Sequence, residues 1–465
     1  MTQLKNMHPQ ASLRGGVVLK TMVLSLIAFF LCTDSFAQQY VEGEFIGGQG
    51  MEILVGEHFG DNSRIIDTIT PDDTGRFQYQ LDSTAEKGLY RFYLNDRLWL
   101  DFILGFEDLR FQTVAAAPEQ SLIVFEGKQN EALYDFYRMI DAEADAKTVL
   151  LAFVMDYPNK DKAMKTVKKQ LKKIVKKEQN FLKKLEGNQA DAFVTDYLTF
   201  LYKQSWENYV SNQQTQKSRT FRNRDWNNPA LLNSNAYAKG IIDYLMLYAN
   251  SDAGQEKQEA LFRMAIDSLF SFIPPETKVY DYTALYLMEG FEQYEMESVI
   301  MHVVKNYSQN CSQTVAKLSN RIEFYRHFYN GAEIPDFVLS RQNSEEIRFY
   351  ELVEGVTLLV FWTTDCPHCA QMNGALKEMY PEFYQKGVKI VSVSLDEDFG
   401  ELSRYLKQTN LPWPVYADGE GWESPIVETF HLYATPTMFL VNENYRLLGK
   451  PMNLNQLVFL LNQIQ

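Results

Sequence analysis

The sequence predicts a multidomain chain: an N-terminal antiparallel β-sandwich, a central all-α domain and a C-terminal α/β domain, all behind an export signal. Three observations carry that prediction. Apolar and polar residues alternate in short runs as far as residue 128, helical spacing takes over through residue 330, and strand-like and helix-like segments then take turns to the end. With 465 residues and 46% apolar content, the chain is long enough to bury more than one core.

Residues 1–37 read as a secretory signal peptide. Lys5, Arg14 and Lys20 precede an apolar run from Thr21 to Cys32, and Ser35 and Ala37 set small residues at a cleavage site before Gln38. That run is too short to span a bilayer as a helix. Cys32 raises lipidation as a second processing route, but Leu31 stands where that route wants a small residue. Anchoring to the membrane is therefore not favoured, and the expected location is the periplasm or cell envelope. Removing the segment deletes three basic residues and one acid, taking the formal charge from -15 to -17. So acidic a chain argues against nucleic-acid binding, which needs a basic face.

From residue 38 to 128, runs such as Tyr40-Val41-Glu42-Gly43-Glu44-Phe45-Ile46, Arg76-Phe77-Gln78-Tyr79-Gln80-Leu81 and Tyr90-Arg91-Phe92-Tyr93-Leu94 alternate with period two, as half-buried strands do. Turn residues at Gly60-Asp61-Asn62-Ser63 and Pro71-Asp72-Asp73-Thr74-Gly75 separate them, so an antiparallel sandwich of about seven strands is expected. No catalytic constellation appears there.

From residue 129 to 330 the spacing is helical, as in Tyr237, Ile241, Tyr244, Leu245 and Tyr248. Between Lys160 and Lys184, eleven lysines surround an apolar stripe at Met164, Val167, Leu171 and Ile174, resumed at Leu182 and Leu185. That pattern is expected to be a solvated basic face whose lysine stems cover an apolar seam, in preference to a membrane-surface helix. The polar stretch Arg222 to Leu232 is expected to be a connector anchored by Trp226, and Cys311 a buried, inert thiol beside a helix carrying Val315, Leu318 and Ile322.

In residues 331–465, strands are expected at Ile347–Leu352, Thr357–Trp362, Val388–Leu395, Trp413–Tyr416, Thr437–Val441 and Tyr445–Gly449. Helices are expected at Pro367–Tyr384, Phe399–Gln408, Ser424–Phe430 and Asn453–Ile464. Such alternation implies a central sheet with parallel crossovers. Cys366 follows the buried strand by a short turn, and Pro367 opens the next helix, as proline does at a first helical position. A cysteine there gains thiolate stability from unpaired N–H groups and the helix dipole, and Cys369 lies one turn inward, within disulfide reach. A zinc site would need two further ligands at matching spacing, which the remaining histidines and Cys311 do not offer. A C-x-x-C pair after a strand is a redox signal.

At these residues the sequence resembles the TlpA- and ResA-like extracytoplasmic thioredoxins. The matching positions are Ile334-Pro335-Asp336-Phe337, Val360-Phe361-Trp362, the cysteine motif, and Ala434-Thr435-Pro436-Thr437-Met438-Phe439-Leu440. The resemblance implies a thioredoxin fold in which Cys366 is the attacking thiol, Cys369 the resolving thiol, Pro436 a cis-proline facing them, and Thr435 the residue whose backbone pairs with a substrate strand. Departures accompany it. Val360 stands where thioredoxin buries an aspartate, Asp365 replaces the tryptophan before the first cysteine, and Met372 replaces the glutamate of ResA-like proteins. Glu397, just past a strand end, is the positional candidate to move the proton of Cys369. Pro367-His368 between the cysteines resembles DsbA and leans toward an oxidising couple, while Asp365 disfavours a thiolate.

Residues and resemblance together imply an exported enzyme that exchanges disulfides with envelope proteins and needs no cofactor. Its partners would be protein thiols and disulfides, and a redox partner that donates or accepts electrons. The alternative is a cell-envelope binding or scaffold protein with a largely structural thioredoxin unit. A peroxidase of the related peroxiredoxin class ranks below both, because Leu359 stands where that class places proline, although Thr363 fits its pattern.

Overall fold

The computed structural model describes residues 39–464, except 83, 158–160, 188–191, 203–223, 295, 313–314 and 341–345. The signal segment with Cys32, and the first residues of the Arg222 connector, lie outside the described residues. Among the described residues the contacts group the chain into two compact units, one of residues 39–55, 66–87 and 91–130, the other of residues 56–65, 88–90 and 131–464.

The N-terminal part of the chain forms eight strands: β1 (Tyr40–Ile46), β2 (Ile53–Phe59), β3 (Asn62–Ile69), β4 (Arg76–Gln80), β5 (Gly88–Tyr93), β6 (Trp99–Leu104), β7 (Leu109–Val114) and β8 (Ile123–Glu126). They form two four-stranded sheets, ordered β4-β1-β7-β8 and β3-β2-β5-β6. The first sheet departs from the expected antiparallel pairing where β1 lies parallel to β7, while β4 flanks its other edge antiparallel. The chain leaves for the second sheet twice, after β1 and after β4, and returns first as β4, antiparallel to β1, and then as β7, parallel to it.

The two sheets meet through aromatic rings. Phe77 lies 6.3 Å from Phe92, and Phe102 lies 4.6 Å from Phe111, centroid to centroid. Gly43 makes that packing fit. It pairs with Phe77 on one side and Phe111 on the other, and both rings fold over it. A Cβ there would enter the Phe77 ring and approach Phe111 Cζ to 2.8 Å. Gly43→Ala is expected to destabilise this unit by about 1–3 kcal/mol through overpacking, read as a lower urea midpoint.

The helical segment begins with α1 (Lys128–Asp156) and α2 (Lys162–Glu186). Asp161 caps α2, accepting the Met164 N–H at 3.2 Å. The apolar seam is buried at Met164, Leu171, Ile174 and Leu182, while Lys147 Nζ pairs with buried Glu178 at 2.8 Å and Lys177 with Glu143 at 3.0 Å. The lysines thus form a solvated face tied to α1 by ion pairs. Next come α3 (Ala192–Tyr202), α4 (Ala236–Met246), α5 (Gln255–Phe270), α6 (Lys278–Gln293), α7 (Glu297–Tyr307) and α8 (Ala316–His327). Tyr237, Ile241 and Tyr244 are buried as their spacing requires, and Trp226 is buried 5.0 Å from the Phe200 ring, an anchor as expected.

Cys311 sits in the turn before α8, half-buried, its sulfur 3.7 Å from the Tyr307 carbonyl. Burial, with the charge of Asp281 adding to it, pushes its thiol up to about 12 from an ordinary 9.0. The unfolded thiol therefore releases its proton first as pH rises. The stability this group contributes is complete below pH 9.0 and declines between 9.0 and about 12. At pH 8, iodoacetamide is expected to label Cys311 only after unfolding, as read by mass spectrometry.

The C-terminal segment adds a hairpin, β9 (Val338–Ser340) and β10 (Glu346–Arg348), and a five-stranded sheet of β11 (Val356–Trp362), β12 (Val388–Ser394), β13 (Val415–Tyr416), β14 (Thr437–Val441) and β15 (Leu447–Gly449). The sheet order is β13-β12-β11-β14-β15. β11, β12 and β13 are parallel, and β14 and β15 run antiparallel to their neighbours. Its helices are α9 (Pro367–Gln385), α10 (Phe399–Thr409), α11 (Pro425–Thr429) and α12 (Leu454–Ile464), within a residue or two of expectation. The expected strand Ile347–Leu352 is a correction: only its start is strand, and Phe349–Leu352 is a helical turn with Phe349 buried against Phe337.

The pleat of β11 points Leu358, Val360 and Trp362 to one face, where they pack with Leu376 and Phe383 of α9, Leu402 of α10 and Leu457 of α12. The opposite face carries Phe361 and Phe439 and is covered by Phe430 and by two residues from the end of the helical segment. Phe324 lies 5.7 Å and Phe328 lies 5.1 Å from the Phe439 ring. Helical and C-terminal segments therefore share an aromatic core within the second unit. No described helix is long and apolar enough to cross a membrane.

Candidate functional site

β11 ends at Trp362, and the chain turns through Thr363, Thr364 and Asp365 before Cys366 caps α9. Cys366 has extended backbone angles, Pro367 is the first helical residue, and the Cys366 sulfur accepts the Cys369 N–H at 3.1 Å. The two cysteines are joined as a disulfide with Cα atoms 5.2 Å apart. Cys366 is half-exposed, whereas Cys369 is fully buried among Val360, Trp362, Met372 and Leu376. An incoming sulfur can therefore reach Cys366 and not Cys369. Once reduced, a Cys366 sulfur would sit against the N–H groups and the dipole at the start of α9.

The loop before β14 closes over this pair. The Thr435–Pro436 peptide is cis, and the Cys366 sulfur lies 3.6 Å from the Thr435 carbonyl oxygen. His368 and Asp365 are both exposed on either side of Cys366.

Glu397 and its neighbour Asp396 part company. Glu397 is exposed, and its carboxylate stands against Gly421, where a Cβ would come 2.8 Å from its Oε1. Asp396 turns the other way and takes hold of the loop leading to Cys366. It accepts the Thr364 N–H at 3.0 Å, the Thr364 hydroxyl at 2.7 Å and the Ser394 hydroxyl at 2.6 Å. Sequence reasoning passed over Asp396, and the signal that would have found it is register. Trp362 pairs with Ser394 across the parallel β11–β12 ladder, so the residues just beyond each strand end are neighbours. Behind them, Trp362 Nε1 donates to Ser392 Oγ at 2.6 Å, which ties the end of β11 to β12 below the cysteines.

A half-exposed cysteine capping a helix, a buried cysteine one turn on and a cis-proline loop against the first sulfur, all at one end of this sheet, define a thioredoxin-fold disulfide oxidoreductase domain. The family model and the curated relatives agree. Residues 330–448 match the AhpC/TSA family model. The ResA thiol-disulfide oxidoreductase of Bacillus cereus is 30% identical over 120 residues, covering 26% of this chain and 68% of that protein. That of Bacillus anthracis is 30% identical over 114 residues, 24% of this chain and 64% of its own length. The thioredoxin domain of a Bacteroides vulgatus thiol-disulfide oxidoreductase is 17% identical and covers 30% of this chain and 98% of its own, with a TM-score of 0.28. The chain belongs, through its C-terminal segment, to the ResA family of thiol-disulfide oxidoreductases. It spans 64% of the length of the first such relatives.

Proposed function

We propose that the protein is an exported thiol-disulfide oxidoreductase that exchanges disulfides with proteins of the cell envelope through Cys366 and Cys369. The single observation that carries this reading is the placement of the Cys366 sulfur, half-exposed, receiving the Cys369 N–H at 3.1 Å and 3.6 Å from the Thr435 carbonyl.

In the reducing direction the Cys366 thiolate attacks one sulfur of a substrate disulfide. A mixed disulfide forms and one substrate thiolate leaves. Cys369 then loses its proton and attacks the Cys366 sulfur, releasing the second substrate thiolate and closing the Cys366–Cys369 disulfide. The substrate gains two electrons and the enzyme dithiol loses two, so a redox partner must supply the next pair. Run backwards, the same steps oxidise a substrate dithiol. Thr435 and Pro436 border the attacking sulfur and would pair with the substrate backbone. Pro367 and His368 lie within the active-site turn and would tune the couple. The proton of Cys369 needs a route out of a fully buried site, and Glu397, exposed with its carboxylate against Gly421, is the candidate to take it.

Equilibration of the Cys366/Cys369 couple against glutathione tests this reading and sets its direction. A potential near the glutathione poise or above it assigns oxidation, and one well below assigns reduction. A pair in the folded chain that neither glutathione nor dithiothreitol reduces would overturn the exchange role in favour of a structural disulfide.

A further inference from the structure

The loop that presents Thr435 is anchored by the helical segment. Leu432 is buried and its N–H reaches the Val427 carbonyl at 3.0 Å, and the Thr437 hydroxyl donates to the Ala434 carbonyl at 2.7 Å. Between those points the chain is held by Tyr433. Its hydroxyl donates to Glu292 Oε1 of α6 at 2.9 Å, 141 residues away in sequence. Glu292 is in turn gripped by Arg321 of α8, whose Nε and Nη2 donate to its two oxygens at 2.7 and 2.8 Å. The Arg321 guanidinium also stands over the Tyr433 ring at 4.4 Å, and Phe324 packs on that ring at 5.3 Å. Arg321 and Glu292 are almost wholly buried, with side chains 8% and 4% exposed, so the grip is not one that solvent loosens.

Thr435 is only two residues beyond Tyr433, a span of at most about 7 Å. Its carbonyl is the group 3.6 Å from the Cys366 sulfur. Ala434 between them is exposed and offers no side chain able to hold the loop. The rotation of the Thr435 backbone toward an incoming strand is therefore set by where Tyr433 is pinned.

We propose that Tyr433, held by Glu292 and Arg321, is a positioning residue for thiol-disulfide exchange that fixes the Thr435 backbone against a polypeptide substrate. The helical segment is then part of the substrate-binding apparatus of the thioredoxin domain. This rests on the exchange activity proposed above. It goes beyond that reading by giving α6 and α8 a share in recognition of the substrate backbone, as distinct from reactivity of the sulfur.

The test compares full-length wild type and Tyr433→Phe on two disulfides, insulin as a polypeptide and hydroxyethyl disulfide as a small reagent with no backbone to pair. With Tyr433→Phe, kcat/KM for insulin is expected to fall about tenfold, mainly through KM, while the small disulfide changes by less than about twofold. The potential against glutathione is expected to stay where it was, and the amides of Ala434, Thr435 and Thr437 to exchange faster with deuterium. Equal losses on both disulfides, no loss on either, or unchanged amide exchange would overturn the proposal. A wild-type chain inert toward both disulfides would overturn the exchange reading itself, and this inference with it.

Discussion

Cys366→Ser is expected to reduce thiol-disulfide exchange on the order of a thousandfold or more, because no second sulfur at the site can take over the attack. Cys369 is fully buried beneath the first turn of α9, and Cys311 lies in the turn before α8 with its thiol pushed up to about 12. A serine hydroxyl at residue 366 would keep the helix cap and lose the nucleophile, since it does not ionise at neutral pH as a thiol does. The complementary variant has the opposite signature. Cys369→Ser keeps the attacking thiolate and removes the resolving one, so attack proceeds and release stops. Mixed disulfides of the full chain with its substrates should accumulate, visible on non-reducing gels and dissolved by dithiothreitol. An envelope scaffold with a merely structural thioredoxin unit would trap nothing. Exchange that persists undiminished in Cys366→Ser would sink the mechanism.

Much of this site can be read from one sequence because its parts are local. A buried strand, a three-residue turn, a cysteine and a proline in order dictate a capped helix with the sulfur at its end. The alternation of elements after residue 331 is likewise a local signal, and helices and strands fell close to their expected limits. What escaped the sequence depends on pairings across long separations. Parallel β1 and β7 cannot be told from antiparallel ones by period, since both alternate. The run Ile347-Arg348-Phe349-Tyr350 alternates like a strand, yet it breaks into a helical turn where Phe349 enters the core beside Phe337. Asp396 and Glu397 look equivalent as acids past a strand end. Past the strand end their side chains part, one reaching Thr364 while the other faces Gly421 and solvent. Tyr433 carries no motif at all, and only the fold reveals that its hydroxyl is spoken for by Glu292.

The buried Arg321–Glu292 pair should also be the costliest single point in the second unit to break. Burial works against the guanidinium charge, but the Glu292 hydrogen bonds and charge outweigh it, and the Arg321 pKa rises above the ordinary arginine value. Around the pair, burial and the Glu292 charge also push the Tyr433 and Tyr325 hydroxyls up, so both stay neutral donors near a carboxylate that needs them. Arg321→Ala would leave the Glu292 carboxylate, 4% exposed, without its guanidinium partner. Removal of one partner from such a pair costs about 3–5 kcal/mol, far more than loss of an exposed bridge such as Lys177–Glu143. The expected result is a large drop in the unfolding midpoint of the second unit, followed by circular dichroism in urea. Changing Arg321 and Glu292 together to methionine should recover part of that loss, because neither charge is then stranded. If Arg321→Ala costs no more than a surface ion pair, the pair does not bind the thioredoxin sheet to the helices. The cycle also separates stability from catalysis: the double variant regains fold stability yet removes the acceptor for the Tyr433 hydroxyl, so its insulin KM should stay high.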